Sequence, residues 1–380
     1  MSNENKQSIS VSYQRTNPVA LDATCVFDTL AEACIYVCKE NTTAYPGQII
    51  SVKDDIENTY VVTQAPDGEL NLDLYDFDVY YVMSLLYPDN LYVPPVGTTE
   101  VNRTLSGGYV QIPSTVKKLT NIVNANGFVS KYVVPTSVRT IGENAFANST
   151  LKKIIIPPRV TDIGASCFSD LVYLKEVNIL ADIPVIKSGT FQMCTGLETI
   201  KLPESITRIG DGAFYGCSIL EDFTIPESVT RIGKDAFTGC SSDLVTIDDS
   251  NISYVGNWVV GGTVPGQGYR PGGDSFAFTI GIKNNTIGIS DYGCVGADGK
   301  YVMIRTFELA SSLKYIGKHA FDNMTAIEGI KFSNPNGWQV FDDNGNLIRS
   351  VDASDLTDTA SALKFLTVDY SDYYWRRIDQ

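Results

Sequence analysis

From Val133 to Cys240 the chain repeats itself about every 23 residues, and that period limits what the rest can be. Ile141-Gly142, Ile163-Gly164, Ile209-Gly210 and Ile232-Gly233 fall in one column. Phe146, Phe168, Phe191, Phe214 and Phe237 fall in a second, spaced 22, 23, 23 and 23 apart. Leu151, Leu174, Leu197 and Leu220 form a third, always 23 apart. A fixed period of this size requires stacked supersecondary units. No column holds a reactive residue, so the pattern predicts architecture and not chemistry.

One unit, Leu197 to Cys217, shows why stacking is needed. Leu197, Ile200 and Leu202 point one way from a short strand, and Thr199 and Lys201 point the other. Pro203 stops the ladder because it has no N–H to donate. Ile206 and Ile209 point inward again, Gly210 allows a turn that a Cβ would obstruct, and Phe214 needs a core for its ring. A lone unit has no second layer to cover that face, whereas stacked units bury it continuously. Each layer hides roughly five or six apolar side chains, worth about 1.5–3 kcal/mol each before entropy is subtracted.

These residues resemble the BspA-like class of leucine-rich repeats. The matching stretches are Leu-x-x-Ile-x-Leu-Pro from Leu197 to Pro203, Ile-x-x-Ile-Gly from Ile206 to Gly210, and Ala213-Phe214-x-x-Cys217. The resemblance runs from about Gly108 to the C terminus and implies a β-rich solenoid of short strands, corner turns and short helical pieces. It further implies an adhesive or display surface, with no activity and no particular ligand. Two departures mark one layer as different: Leu180 stands in the proline column and Lys187 in the glycine column. After Cys240 the register loosens, then returns at Ile316-Gly317 and Ala320-Phe321. Between them, Ile289 to Cys294 reads as a degenerate corner with Cys294 in the phenylalanine column.

The remaining segments divide as follows. Residues 1–20 form a polar arm, and residues 21–69 a small α+β module of one helix and one hairpin. Thr29-Leu30-Ala31-Glu32 is a capping box that starts a helix running to about Lys39, with Leu30, Ala33, Cys34, Val37 and Cys38 on its apolar face. Gln48 to Val52 and Thr59 to Thr63 read as the hairpin strands. So small a module cannot bury much surface, and is expected to pack on a copy of itself or on a host surface. Residues 70–107 read as a connector with Tyr80, Tyr81, Tyr87 and Tyr92 as contact residues or as a plain linker, and 108–331 as the solenoid, with an irregular insert at about 250–285. Residues 332–380 read as a C-terminal cap, whose Tyr370, Tyr373, Tyr374, Trp375, Arg376 and Arg377 cover the open end. This tail also resembles the cap of BspA-like proteins.

The run Leu21-Asp22-Ala23-Thr24, Val26-Phe27, Leu30 to Ala33 and Ala44 to Ile49 resembles a module of fibre and other virion proteins of tailed phages of gut bacteria, the crAss-like group included. That resemblance implies a virion location, attachment to capsid or tail proteins through the N-terminal region, and a homotrimer. A bacterial cell-surface adhesin with the same solenoid is the alternative. The N terminus lacks an apolar h-region, so it is not a secretory signal peptide, and Met1 favours a surface reached without secretion.

Composition removes other classes. Net charge is −15, which opposes a phosphate backbone, so nucleic acid is not an expected partner. No run of about 18 apolar residues occurs, so no transmembrane helix is expected. Cys194, Cys217 and Cys240 each follow a column phenylalanine by three residues, where Leu171 and Met324 stand in sister units. A slot that takes Cys, Leu or Met is apolar, so these are read as buried free thiols. Cys25, Cys34 and Cys38 have no histidine or fourth cysteine nearby, so no metal is expected.

The single histidine, His319, sits at a variable corner position also held by Asn144, Ser166, Gly212 and Asp235, and is read as exposed. A nucleophile–histidine system then has no base, no catalytic motif occurs, and the chain is not expected to be an enzyme or to need a cofactor. Two ligand surfaces are weighed, for a glycan or a host surface protein. One is the outward strand strip, with Lys153 and Ile155, Glu176 and Asn178, Thr199 and Lys201, and Asp222 and Thr224, which an ordinary solvated sheet would equally explain. The other is the glycine-rich stretch with Tyr254, Trp258 and Tyr269, read either as a protruding hairpin or loop or as an aromatic contact loop.

Overall fold

A computed structural model describes residues 26–40, 42–46, 48–53, 59–64, 68–74, 100–102, 116–120, 131–134, 136–264, 278–296, 304–324 and 327–378. The repeats stack as a succession of parallel ladders. The Leu-x-x-Ile strands Lys131–Val133, Lys153–Ile156, Glu176–Ile179 and Thr199–Lys201 pair in order, and Asp222 extends the row by one bridge from Thr199. The Ile-Gly corners form a second side. Glu100–Asn102, Lys118–Thr120, Thr140–Ile141 and Asp162–Ile163 make one parallel sheet, and Val185–Ile186, Arg208–Ile209 and Arg231–Ile232 the next. The ladder therefore starts at Glu100, ahead of residue 108, inside the stretch expected to be a connector.

The third side is the turn that carries the phenylalanines. Its backbone amides bond from coil to coil: Phe168 N–H donates to the Thr190 carbonyl at 2.9 Å, Phe191 to Ala213 at 2.8 Å and Phe214 to Ala236 at 2.8 Å. The five rings lie in a row, 5.4–5.5 Å apart and within 16° of parallel. Cys294 N–H donates to the carbonyl of Ala320, just before Phe321, so Cys294 does occupy the phenylalanine column. Of the thiols expected to be buried, Cys194 and Cys217 are and Cys240 is half-buried: Cys194 donates to the Phe168 carbonyl at 3.0 Å, Cys217 to Phe191 at 3.2 Å and Cys240 to Phe214 at 3.2 Å. Burial pushes the Cys194 thiol up to about 12 and also raises Cys217, Cys167 and Cys294. A thiol without accessible thiolate does not exchange. Ellman's reagent at about pH 8 should leave Cys167, Cys194, Cys217 and Cys294 unmodified in the folded protein and label them after denaturation; mass spectrometry of native adducts checks this.

Two backbone features make the coils fit. Glycine in the Ile-Gly column is required by close approach: a Cβ on Gly210 would lie 2.6 Å from Ser188 N, and one on Gly317 2.4 Å from Asp291 N. Lys187, which takes that column in one layer, sends its ammonium to Asp162 at 2.6 Å. The corner position is left-handed in every described coil: Asn144, Ser166, Gly189, Gly212, Asp235, Tyr292 and His319 have φ between 50° and 62°. Side chains of every kind accept that conformation here because both neighbouring coils hold the backbone in place.

The described part of the glycine-rich stretch, up to Val264, is an ordered hairpin. Ile252–Val255 and Trp258–Val264 form an antiparallel hairpin that lies across the solenoid. Alternation along it splits the interior. Val255, Trp258 and Val260 join the first hydrophobic core, which holds the five-phenylalanine row, and Ile252, Tyr254 and Val259 join the second, with Phe307, Phe321, Trp338 and Trp375. The hairpin is a partition between two cores.

The second core is closed by the C-terminal segment. Tyr374–Arg377 runs antiparallel to the last corner strand, Tyr315–Ile316, and to Trp338–Phe341, so the parallel ladder ends there. Trp375 is 1 % exposed, and the Thr359–Lys364 helix contributes Ala362 to the same core. No described helix is long and apolar enough to cross a membrane.

Arg231 ties the two parts together. Its guanidinium donates to Asp291 at 2.9 Å and to Asp343 at 2.7 Å, and lies over the Tyr374 ring. Lys318 also reaches Asp343 at 2.5 Å. Hydrogen bonds from Lys318 and then Arg231 hold the Asp343 carboxyl down at about 2. This carboxylate stabilises the fold fully above its unfolded value of about 3.9, and the contribution is lost as pH falls toward about 2. Asp343→Asn should therefore flatten the acid-unfolding curve in that window while leaving the neutral-to-alkaline region unchanged, as read by circular dichroism. Because the Asp343 side chain is 55 % exposed, the effect is modest.

Candidate functional site: the outer strand face

The N-terminal module sits on this face of its own solenoid. Its helix, Leu30–Cys38, begins with the expected capping box: Glu32 N–H donates to Thr29 Oγ1 at 3.2 Å and Thr29 N–H to Glu32 Oε2 at 3.4 Å. The sheet has four strands: Val26–Phe27, Ile49–Val52, Thr59–Gln64 and Leu70–Leu74. The last of these was expected in a connector. It pairs antiparallel with Thr59–Gln64 and carries the contact with the repeats.

That contact meets the exposed edge of the module sheet with solenoid side chains. Leu72 N–H donates to Thr136 Oγ1 at 2.8 Å, and Arg159 donates to the Leu70 carbonyl at 2.5 Å. Glu69 pairs with Lys117 at 2.8 Å and with Arg139. Two backbone groups of that edge strand are thus satisfied by solenoid side chains, which blunts the edge. Ile155, read as outward, does point out of the solenoid, yet it is 3 % exposed because the module core of Leu30, Val37, Ile50 and Tyr60 covers it. Leu180, the departure from the proline column, packs on the same cluster.

Beyond the module the face is open. Parallel register places Lys153, Glu176, Thr199 and Asp222 in one row, and Ile155, Asn178 and Lys201 in the next. Lys153 is half-buried and pairs with Glu176 at 3.0 Å. Asn178 and Thr199 are half-exposed, and Lys201, Asp222 and Thr224 are exposed. An exposed Lys175–Glu198 pair at 2.7 Å borders the strip. The surface offers amide, hydroxyl, ammonium and carboxylate groups over three to four coils, with little net charge. Surface pairs of this kind contribute little to stability, so these side chains are free to vary without unfolding the coil.

The other sequence candidates do not join this site. Tyr254 and Trp258 are each 1 % exposed and belong to the partition, so they are core residues and not contacts. The Tyr254 hydroxyl bonds Asp248 at 3.0 Å, and its ring lies under the Lys283 ammonium. Tyr269, Tyr80, Tyr81, Tyr87 and Tyr92 lie outside the described residues. His319 is half-buried and paired, not freely exposed: Nδ1 meets Asp322 at 3.1 Å, Nε2 meets Asp372 at 3.0 Å, and the ring stacks on Tyr292. Among the described residues no group of His, Cys, Asp and Glu is arranged to hold a metal ion.

Residues 109–244 and 300–350 match, in six copies, the BspA type leucine-rich repeat region. Those two blocks are similar to BspA-type leucine-rich repeats. The gap between the two matched blocks contains the partition hairpin, where a BspA-type coil is replaced by an antiparallel one. Similar solved structures include a leucine-rich repeat protein from Bacteroides ovatus, 17 % identical over 76 % of this chain and 81 % of that one, with a TM-score of 0.35. The pneumococcal vaccine antigen PcpA is 18 % identical over 76 % and 70 %, with a TM-score of 0.33. A leucine-rich cell surface protein from Faecalibacterium prausnitzii is 22 % identical over 72 % and 75 %, with a TM-score of 0.28. No curated protein matches the chain.

Proposed function

We propose that this chain is an adhesive display protein whose BspA-type solenoid presents the open strand strip to a host cell, mucus or glycan. The observation that carries this is the strip itself. The interior is fully used in burying the apolar columns, whereas Asn178, Thr199, Lys201, Asp222 and Thr224 stand in register on an accessible polar face. Simultaneous alanine substitution at those five positions should abolish adhesion of the purified protein to host cells or mucin while leaving the melting curve unchanged. Unchanged adhesion removes the strip from the proposal.

The structure carrying the protein is read from the N-terminal module, whose sequence resembles phage fibre modules. On that reading the chain is a head or tail fibre of a virion, joined to capsid or tail proteins and trimeric. The alternative, a bacterial cell-surface adhesin, is favoured by one observation: the module spends its apolar surface on Ile155 and Leu180 of its own solenoid. Immunogold labelling of purified virions against labelling of bacterial cells separates the two. Light scattering that returns one chain mass at micromolar concentration removes the trimer.

A further inference from the structure

We propose that Val172, Tyr173, Met193, Tyr215 and Ile219 form a shelf that takes the apolar face of a neutral sugar ring, with the rest of the glycan reaching onto the open strand strip. The inference rests on the adhesive reading and names the class of ligand. All five side chains belong to the turns that carry the phenylalanines, and all are exposed, from 38 % at Met193 and Tyr215 to 57 % at Tyr173. The repeat supplies its own control. In sister coils the slot of Tyr215 holds Gln192 or Thr238, that of Met193 holds Asp170 or Gly239, and that of Val172 holds Ser218 or Ser241. The turn therefore folds with polar residues or glycine at these slots, and the coil does not demand the apolar ones. The departures fall in three adjacent coils, and exposed apolar side chains gathered this way mark an interaction surface.

The shelf has a definite relief. Tyr173, Gly196 and Ile219 stand one above another, 23 residues apart. Gly196 cannot carry a Cβ, which would lie 2.4 Å from the Val172 carbonyl oxygen. Bare backbone therefore floors the space between Tyr173 and Ile219, whose own backbones are roughly 10 Å apart at two strand spacings. Met193 lies over Gly216, where a Cβ would meet its Sδ at 2.6 Å, and so extends the apolar surface beside Tyr215. The same turns run directly into the open strip: 172–173 into Glu176–Ile179, 193–196 into Thr199–Lys201, and 215–219 into Asp222. Apolar shelf and polar strip thus share three coils, next to the Ile155 coil that the N-terminal module covers.

Size and charge select the ligand. Five side chains about half-exposed offer roughly 500 Å², short of the ~800 Å² that each partner of a stable protein pair buries. The area suits a small ligand. A pyranose has one face of C–H groups and an edge of hydroxyls, so it matches an aromatic shelf beside a strip of amide, hydroxyl and carboxylate groups. Tyrosine gives such contact area at low entropic cost. Asp170 and Glu221 lie at the two ends of the shelf, exposed and without an ion pair among the described residues. They can accept hydrogen bonds from sugar hydroxyls and repel an acidic sugar, as does the net charge of −15. The glycan is therefore a neutral one.

The test uses the full chain and mucin oligosaccharides separated into neutral and acidic fractions. The parent should retain the neutral fraction and pass the acidic one. Val172→Ser/Tyr173→Ser/Tyr215→Thr, which gives these slots the residue types of sister coils, should weaken retention about tenfold or more, as loss of two aromatic contacts does. It should melt like the parent, because exposed substitutions of this kind are near neutral. Tyr173→Phe/Tyr215→Phe should bind like the parent, since the ring face makes the contact. The proposal is overturned if the triple variant retains the neutral fraction as the parent does, if the acidic fraction binds as tightly, or if neither fraction is retained. Adhesion of the same proteins to host cells keeps the two readings apart. Strip alanines that abolish adhesion while the triple variant adheres fully leave the adhesive reading standing and remove the shelf. A parent that retains neutral sugars through the shelf yet adheres to no cell removes the adhesive reading and keeps the shelf. Adhesion that survives removal of cell-surface glycans and is lost on protease treatment makes the partner a protein and overturns the sugar.

Discussion

Phe191→Ala should lower the unfolding free energy by about 3–5 kcal/mol, the usual range for an aromatic ring removed from a core. The ring is fully buried between Phe168 and Phe214, at 5.4 and 5.5 Å, and nearly parallel to both. The cavity cannot collapse easily. The Phe191 amide is bonded to Ala213 of the next coil at 2.8 Å, and its carbonyl accepts the Cys217 thiol at 3.2 Å, so the backbone is fixed from the side where it would need to move. Phe191→Leu keeps most of the volume and should cost only about 1 kcal/mol. Urea unfolding followed by tryptophan fluorescence and circular dichroism gives both numbers from the midpoint shift at constant slope. A loss below about 1 kcal/mol for the alanine variant would contradict a filled ring row.

Asp291→Ala should be the second large effect, about 2–3 kcal/mol, because it removes the buried partner of Arg231 and leaves that guanidinium only the half-exposed Asp343. The Arg231 and Asp291 side chains are 10 % and 6 % exposed. Asp291 also accepts the Lys318 backbone N–H at 2.8 Å, so its loss orphans two donors. Asp291→Asn retains an acceptor for Lys318 and should cost less. The double variant Arg231→Met/Asp291→Ala should cost less than the sum of the two single changes, since neither charge is then left alone. Hydrogen exchange should locate the damage at Gly288–Ile289 and Tyr315–Ile316, the corner strands next to the broken pair. Additive single effects would show that the pair does not couple the two parts.

The repeat was legible because its columns are apolar and periodic: Phe146 to Phe237 sit 22 or 23 residues apart, whereas Cys294, outside that count, was placed by the degenerate corner that begins at Ile289. Corner geometry was harder to see. Asn144, Ser166, Asp235, Tyr292 and His319 are left-handed, yet only Gly189 and Gly212 advertise that conformation by residue type. Tyr254 and Trp258 misled because glycine beside aromatic residues reads equally as a loop or as a tightly packed hairpin; what decides is the missing turn of one coil, a tertiary fact. Ile155 was placed on the correct side of its strand, but its cover comes from Leu30–Cys38, more than a hundred residues earlier. The site strip was legible as outward positions. Which end of it lies under the module followed from Thr136, Arg139 and Arg159, side chains whose partners no local pattern reveals.

The partition hairpin has a mechanical consequence. On the adhesive reading proposed above, the chain carries load along its length. With one continuous interior, a solenoid peeled from an end loses coil after coil against a nearly uniform resistance. Here Ile252–Val255 and Trp258–Val264 divide the interior, and a short ionic clasp around Arg231 spans the division. Pulled from its ends, the chain should give way in two stages, one block staying folded while the other extends.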